Sequence, residues 1–270
     1  MQLRDRKVLL TGASGGIGKA IAEALLQQGA SLVLAGRDIA ALNQLKTVLA
    51  KDGVHIDVGP LDLGSPQLTE QARALLARHP DIDVLINGAG VNQFSACDTQ
   101  STEQLARLID INLKGTLLLT TALLPALKQR LEAAVVIIGS TFGSIGYPGF
   151  AAYCASKFGV RGYSEALRRE LADTRVSVFY VAPRATRTAM NGQAVTDMNQ
   201  ELGVAVDEPQ WVADQLVQAI ANNRFKLFLG WPEKWFVIVN GVFSSLVDKA
   251  LIKQLPTVQR YMKRNCKNGF

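Results

Sequence analysis

Short apolar runs recur along the chain, each followed by a longer stretch in which apolar residues return every three or four positions. Lys7–Leu10, Ser31–Ala35, His55–Gly59, Val84–Ile86, Val135–Ile138, Val176–Val181 and Lys226–Leu229 predict strands. Between them Ile17–Gln28, Ile39–Lys51, Pro66–Arg78, Glu103–Arg130, Phe150–Ala172 and Pro209–Asn222 predict helices. A strand that is apolar on both faces has to be covered on both, so the alternation predicts an α/β fold. The expected form is a doubly wound three-layer sandwich around a parallel sheet of seven strands, with Val135–Ile138 central. Arg187–Asp207 is polar and weakly periodic and reads as a mobile segment over the site.

Composition narrows this picture. Of 270 residues, 48% are hydrophobic and 19% charged, enough for one large packed domain and unlike a disordered chain. Cys97, Cys154 and Cys266 are odd in number and far apart, which speaks against a disulfide framework or a thiolate metal site. No apolar leader follows Met1, and with the thiols this predicts a reducing, cytoplasmic setting. His55 and His79, the only histidines, read as a strand-edge and a helix-end residue; no metal site is expected. The net charge of +6 is uneven, because residues 231–270 carry +5 of it. The basic character thus belongs to a C-terminal extension after a single domain of residues 1–230. Without an interleaved aromatic platform, it does not predict nucleic-acid binding.

The first strand runs directly into Thr11-Gly12-Ala13-Ser14-Gly15-Gly16-Ile17-Gly18, and a helix opens there. Glycines let the backbone turn sharply and approach a pyrophosphate at the positive helix N-terminus. The same residues spell Gly12-x-Ser14-x-Gly16, a nucleophile elbow, but that reading needs a late histidine and none follows His79. At the tip of the second strand Gly36 stands where an NAD site usually carries a carboxylate, and Arg37 follows. A guanidinium suits a 2′-phosphate, with Ser14 adding a hydroxyl, so the expected cofactor is NADP(H).

Tyr153 and Lys157 lie four apart near the start of a helix and share one face. Ser140 follows the buried strand Val135–Ile138. A phenol stabilised by a neighbouring cation can pass a proton to a carbonyl oxygen that Ser140 holds by hydrogen bond. Cys154 and Ser156 point to other faces and read as packing.

Over roughly residues 7–230 these motifs resemble the short-chain dehydrogenase/reductase family, which implies a Rossmann-type fold. The resemblance also implies adenine contact at Asp62 and a cofactor-lining turn at Asn87, Ala89 and Gly90, with Gly88 departing from the family's second Asn. It places Asn112 as the residue whose backbone holds a water linking Lys157 to solvent. Tyr153, Lys157, Ser140 and Asn112 then match four catalytic positions, and Gly12, Ser14, Gly16, Ile17, Gly18, Arg37, Pro183 and Thr188 join Tyr153 and Lys157 around the cofactor. Arg184 replaces a family glycine, facing either an anionic substrate group or the protein surface.

The resemblance implies an oxidoreductase acting on a carbonyl or secondary alcohol, in a homodimer or homotetramer. A catalytically silent NADP(H)-binding sensor is the alternative, and keeping Tyr153 speaks against it. Phe94, Phe142, Ile145, Tyr147 and Met190 favour a lipophilic substrate. The extension opens with Pro232 and Glu233, which suit a first helical turn, and then turns apolar, with Trp231 and Trp235 ahead of a basic stretch. Contact with an anionic membrane, packing on a sister subunit and a lid over the substrate are three readings left open.

Overall fold

The computed structural model describes residues 1–267; residues 268–270 of the predicted extension, and the side chains of Glu233, Cys266 and Lys267, lie outside the described residues. The apolar runs form β1 (Lys7–Thr11), β2 (Ser31–Gly36), β3 (Ile56–Pro60), β4 (Val84–Asn87), β5 (Ala133–Ile138), β6 (Val176–Ala182) and β7 (Lys226–Phe228). All pair in parallel, in the order β3-β2-β1-β4-β5-β6-β7. Every residue of β5 is buried, and each of its Val and Ile side chains contributes roughly 1.5–3 kcal/mol by leaving water.

The helices are α1 (Gly16–Gln27), α2 (Ile39–Leu49), α3 (Leu68–Arg78), α4 (Thr102–Ile109), α5 (Thr116–Leu127), α6 (Ala151–Glu170), α7 (Gln193–Glu201), α8 (Pro209–Ala221), α9 (Glu233–Val242) and α10 (Ser244–Lys267). Side chains of β1 alternate between two cores. Val8 and Leu10 join α1, α2 and α8 on one face, while Leu9 joins α3, α5 and α6 on the other. The chain winds outward from β1 to β3, then crosses to β4 on the other side of β1. That reversal opens a crevice beyond the carboxyl ends of β1 and β4.

Three elements differ from the periodicity. The helix expected over Glu103–Arg130 is broken by a π-helical turn at Asp110–Gly115. There the Asn112 side chain accepts from Val91 N and donates to Val91 O, both at 2.8 Å, and a polar side chain engaged off-helix breaks the regular ladder. The segment expected to be mobile, Arg187–Asp207, contains α7, held by buried Ala194, Val195 and Met198 and by a bridge between Thr186 and Asp207. Finally, the extension is a helical pair. Val258 and Met262 of α10 share a small third core with Phe94, Phe150, Cys154, Val195 and Met198.

Candidate active site

A cavity of about 1090 Å³ runs along the carboxyl ends of the strands, larger than the usual site for a single small molecule. At one end lies the glycine turn. Gly12 has φ of +76°, and a Cβ there would stand 2.7 Å from Ala89. Only glycine allows the two turns to meet so closely. The Thr11 hydroxyl fastens them, donating to Ile86 O and accepting from Gly88 N at 3.1 Å and Ala89 N at 3.2 Å. Gly88, the departure from the family pattern, is thus held through its amide. The N-terminus of α1 has no side-chain cap and no acidic residue in its first turn, which leaves its positive end open to an anion.

Gly12, Ser14, Gly16, Ile17, Gly18, Arg37, Asp62, Ala89, Gly90, Ser140, Tyr153, Lys157, Pro183 and Thr188 all line this cavity. Thr188 closes on the glycine turn, where a Cβ at Gly16 would meet its Cγ2 at 2.7 Å. Arg37 is exposed and has no ion pair among the described residues, while the neighbouring Asp38, also on the cavity wall, caps α2 by accepting from Ala41 N at 2.9 Å. Asp62 is oriented by its own turn, its carboxylate accepting from Gly64 N at 3.0 Å. Lys19, on the first turn of α1, also faces the cavity. It was not singled out from the sequence, although its place after Gly18 puts a cation beside the expected pyrophosphate.

Two expected residues do not line the cavity. Asn87 is buried and donates to Thr120 Oγ1 at 3.1 Å, so it anchors the turn from behind. Asn112 is likewise buried, and besides gripping Val91 it donates to Ser156 Oγ at 3.2 Å. Ser156 in turn donates to Tyr153 O at 2.7 Å. It is therefore not mere packing but the link between the π-helical turn and α6. Cys154 does pack, within the third core.

At the far end Tyr153 is half-buried on the cavity wall, with Lys157 Nζ 5.7 Å from its ring centre. Desolvation pushes the Tyr153 phenol well above its ordinary value, partly offset by the nearby Ser140 hydroxyl. Lys157 is buried, donates to Ile138 O at 3.0 Å, and is brought down to about 8 by the same loss of water. Phe142, Ile145, Tyr147 and Met190 line this end, with Phe142 and Tyr147 stacked at 5.0 Å. Phe94, expected among them, instead packs on Phe150 at 4.9 Å in the third core. His79 ends α3 as expected, and burial lowers its pKa against the opposing pull of Asp57.

Arg184 follows neither expected course. Its Nε and Nη2 donate to the Asp207 carboxylate at 3.0 and 2.8 Å, and Nη1 donates to Trp231 O at 2.8 Å. The guanidinium thus ties the β6 loop to the start of the extension. Gly230, at φ of +90°, leaves the room, since a Cβ there would fall 2.4 Å from Arg184 Cδ. Beyond this clamp Phe236 of α9 and Val247, Ala250, Leu251 and Gln254 of α10 line the substrate end. Asn240 donates to Ser144 O at 2.9 Å and Tyr147 to Gln254 Oε1 at 3.0 Å, fixing both helices to the wall. No His, Cys, Asp and Glu cluster able to hold a metal occurs among the described residues.

Known proteins agree with this architecture. The short chain dehydrogenase family matches residues 6–199. The human dehydrogenase/reductase SDR family member 7 is 38% identical over 176 residues; the match covers 63% of this chain and about half, 52%, of that protein's length. A short-chain dehydrogenase from Sphingobium yanoikuyae, solved with NADPH, is 31% identical and superposes with a TM-score of 0.76 over 90% of this chain and 95% of its own. One from Burkholderia phymatum, solved with NAD, shares the fold at 22% identity, with a TM-score of 0.82 over 91% of this chain and 96% of its own. By sequence match, sheet order and the placement of its motifs, the chain belongs to the short-chain dehydrogenase/reductase family.

Proposed function

We propose that the protein is an NADP(H)-dependent oxidoreductase acting on a lipophilic carbonyl or secondary alcohol, with Tyr153 as its general acid and base. The observation that carries this reading is the placement of Ser140, Tyr153 and buried Lys157 together on the wall of a cavity that continues to Arg37. The glycine turn and the uncapped N-terminus of α1 fit a pyrophosphate, Asp62 fits the adenosine end, and Thr188 and Pro183 flank the nicotinamide end. Arg37, with Ser14 on the same cavity wall, fits a 2′-phosphate, and the carboxylate of the neighbouring Asp38 is engaged as a helix cap. When bound, the cofactor supplies or accepts the hydride.

The chain's own residues handle the proton. Tyr153, a phenol that is neutral at physiological pH and that desolvation holds neutral still further up the scale, donates its proton to the carbonyl oxygen in the reductive direction. Ser140 holds that oxygen as negative charge develops. The Lys157 ammonium, still protonated near neutrality at a value of about 8, stabilises the phenolate left behind. Asn112 acts through others, setting the Val91 turn and, by way of Ser156, the start of α6. The apolar wall of Phe142, Ile145 and Leu251 suits a substrate with a large hydrocarbon part. Cytoplasmic localisation and self-association belong to the same reading.

The test is a panel of apolar ketones and secondary alcohols followed at the nicotinamide absorbance, with NADPH and NADH in parallel. Turnover that prefers NADPH is expected. Tight NADPH binding with no turnover on any member would favour a silent sensor instead.

A further inference from the structure

The α9–α10 pair has two faces with different work. Its inner face contributes Phe236, Val247 and Leu251 to the substrate end of the cavity and is pinned there through Asn240 and Gln254. Its outer face is apolar and open. Among the described residues, eight of the seventeen exposed large apolar side chains fall within residues 231–252; Phe236 belongs to the inner face, and of the other seven Ile238, Val242, Phe243 and Leu246 crowd the turn between the helices. Elsewhere such side chains are scattered singly, which is ordinary; a cluster of this kind marks a contact surface.

Charge selects the occupant. Lys249, Lys253 and Lys263 of α10 are exposed and have no ion pair among the described residues, and Asp248 is the one acidic side chain described on the two helices. A second copy meeting this face through a two-fold axis would bring lysine against lysine. A surface of anionic lipid reverses the sign of that interaction and accepts tryptophan at its boundary. Trp231 and Trp235 lie 6.1 Å apart at the rim of the same face. The ten residues of α9 extend only about 15 Å, half of a hydrocarbon core of about 30 Å, so this helix can lie in an interface but cannot cross it. The one stretch among the described residues long and apolar enough to cross, Thr102–Leu127, buries Leu119, Leu123 and Leu127 against the sheet.

We propose that the outer face of the α9–α10 hairpin docks on an anionic bilayer surface, so that the substrate end of the cavity meets the lipid boundary. The docking itself stands on the exposed face and its charge; delivery of a lipophilic substrate from the bilayer rests on the oxidoreductase reading above.

Sedimentation of the full chain with vesicles of phosphatidylcholine alone, or mixed with phosphatidylserine, tests it. Binding is expected to rise with phosphatidylserine and to weaken as salt screens the lysines. The triple variant Ile238→Ser, Val242→Ser, Phe243→Ser should lose at least about tenfold in vesicle partitioning. Its melting temperature and its NADPH-dependent turnover of a water-soluble carbonyl should stay unchanged. Lys249→Glu with Lys253→Glu should remove the preference for phosphatidylserine. Wild-type protein that ignores these vesicles, or a triple variant that binds them equally well, would overturn the proposal. So would a wild-type dimer that the triple variant turns to monomer without any vesicle binding, since the face would then be a subunit contact. Vesicle binding needs no turnover: binding without catalysis would sink the oxidoreductase reading alone, and catalysis without binding the docking alone.

Discussion

At the nucleotide end the cavity wall is largely main chain, drawn close by Gly12 and fastened by Thr11, whereas at the substrate end it is side chain from α6, α7, α9 and α10. The first end is assembled from neighbouring strands and their immediate turns. The second is assembled from segments far apart in sequence, such as Tyr147 with Gln254 and Arg184 with Trp231. A wall of backbone tolerates no added Cβ but gives the same site for any ligand with a diphosphate. A wall of side chains can be changed piece by piece. Shared cofactor recognition is therefore expected at the first end, and selectivity for a particular substrate at the second.

The largest expected effect lies where the two ends meet. Lys157→Met should lower kcat by about 10²–10⁴-fold, the usual span for a lost proton-transfer group. Its stability should change with pH in a defined sense. In the folded protein Lys157 releases its proton near 8, while in the unfolded chain it holds it to about the ordinary 10.5. The unfolded state thus binds more protons between those values, so wild type should gain stability relative to the variant as pH rises from 8 to 10.5. Thermal melts of both proteins across that window check the sign. Carbonyl reduction by wild type should be level below pH 8 and fall above it as the cation is lost, which a kcat profile would show.

At the substrate end, Arg184→Ala leaves the largely buried Asp207 carboxylate without its partner and should cost about 2–3 kcal/mol of stability, read by denaturant unfolding. Acidic and neutral substrates should lose activity equally, because the guanidinium is occupied; a selective loss for acidic ones would restore anion recognition. At the nucleotide end, Arg37→Asp should shift the ratio of kcat/KM for NADPH over NADH by about 10–100-fold toward NADH, matching one charge-assisted contact. The smallest effect is Gln254→Leu, which removes one hydrogen bond to Tyr147. It should raise KM for a bulky ketone by about two- to tenfold and leave NADPH affinity untouched.

The two ends also differed in how far they could be read from sequence. Strands apolar on both faces predict the covered parallel sheet, and Ser140, Tyr153 and Lys157 lie on or beside elements that periodicity places well. All three line the cavity. Asn112 was found, but not the π-helical turn it makes, because apolar periodicity carries no trace of a bond to Val91 twenty-one residues away. Helix α7 was missed because its polar outer face hides the three buried positions that hold it. Phe94 and Phe142 look alike in sequence, yet α7 and α10 cover one and leave the other on the cavity. The course of Arg184 depended on Asp207 and Trp231, neither of which any local pattern connects to it.

The central claim is that Tyr153 transfers the proton in a site whose proposed contacts to the phosphates of NADPH lie at the other end of the cavity. Tyr153→Phe keeps the ring and removes only the hydroxyl, so NADPH affinity, measured by its fluorescence on binding, should match wild type. Single-turnover oxidation of that bound NADPH by an apolar ketone should then fall at least about 100-fold. Turnover by Tyr153→Phe at the wild-type rate would contradict the account.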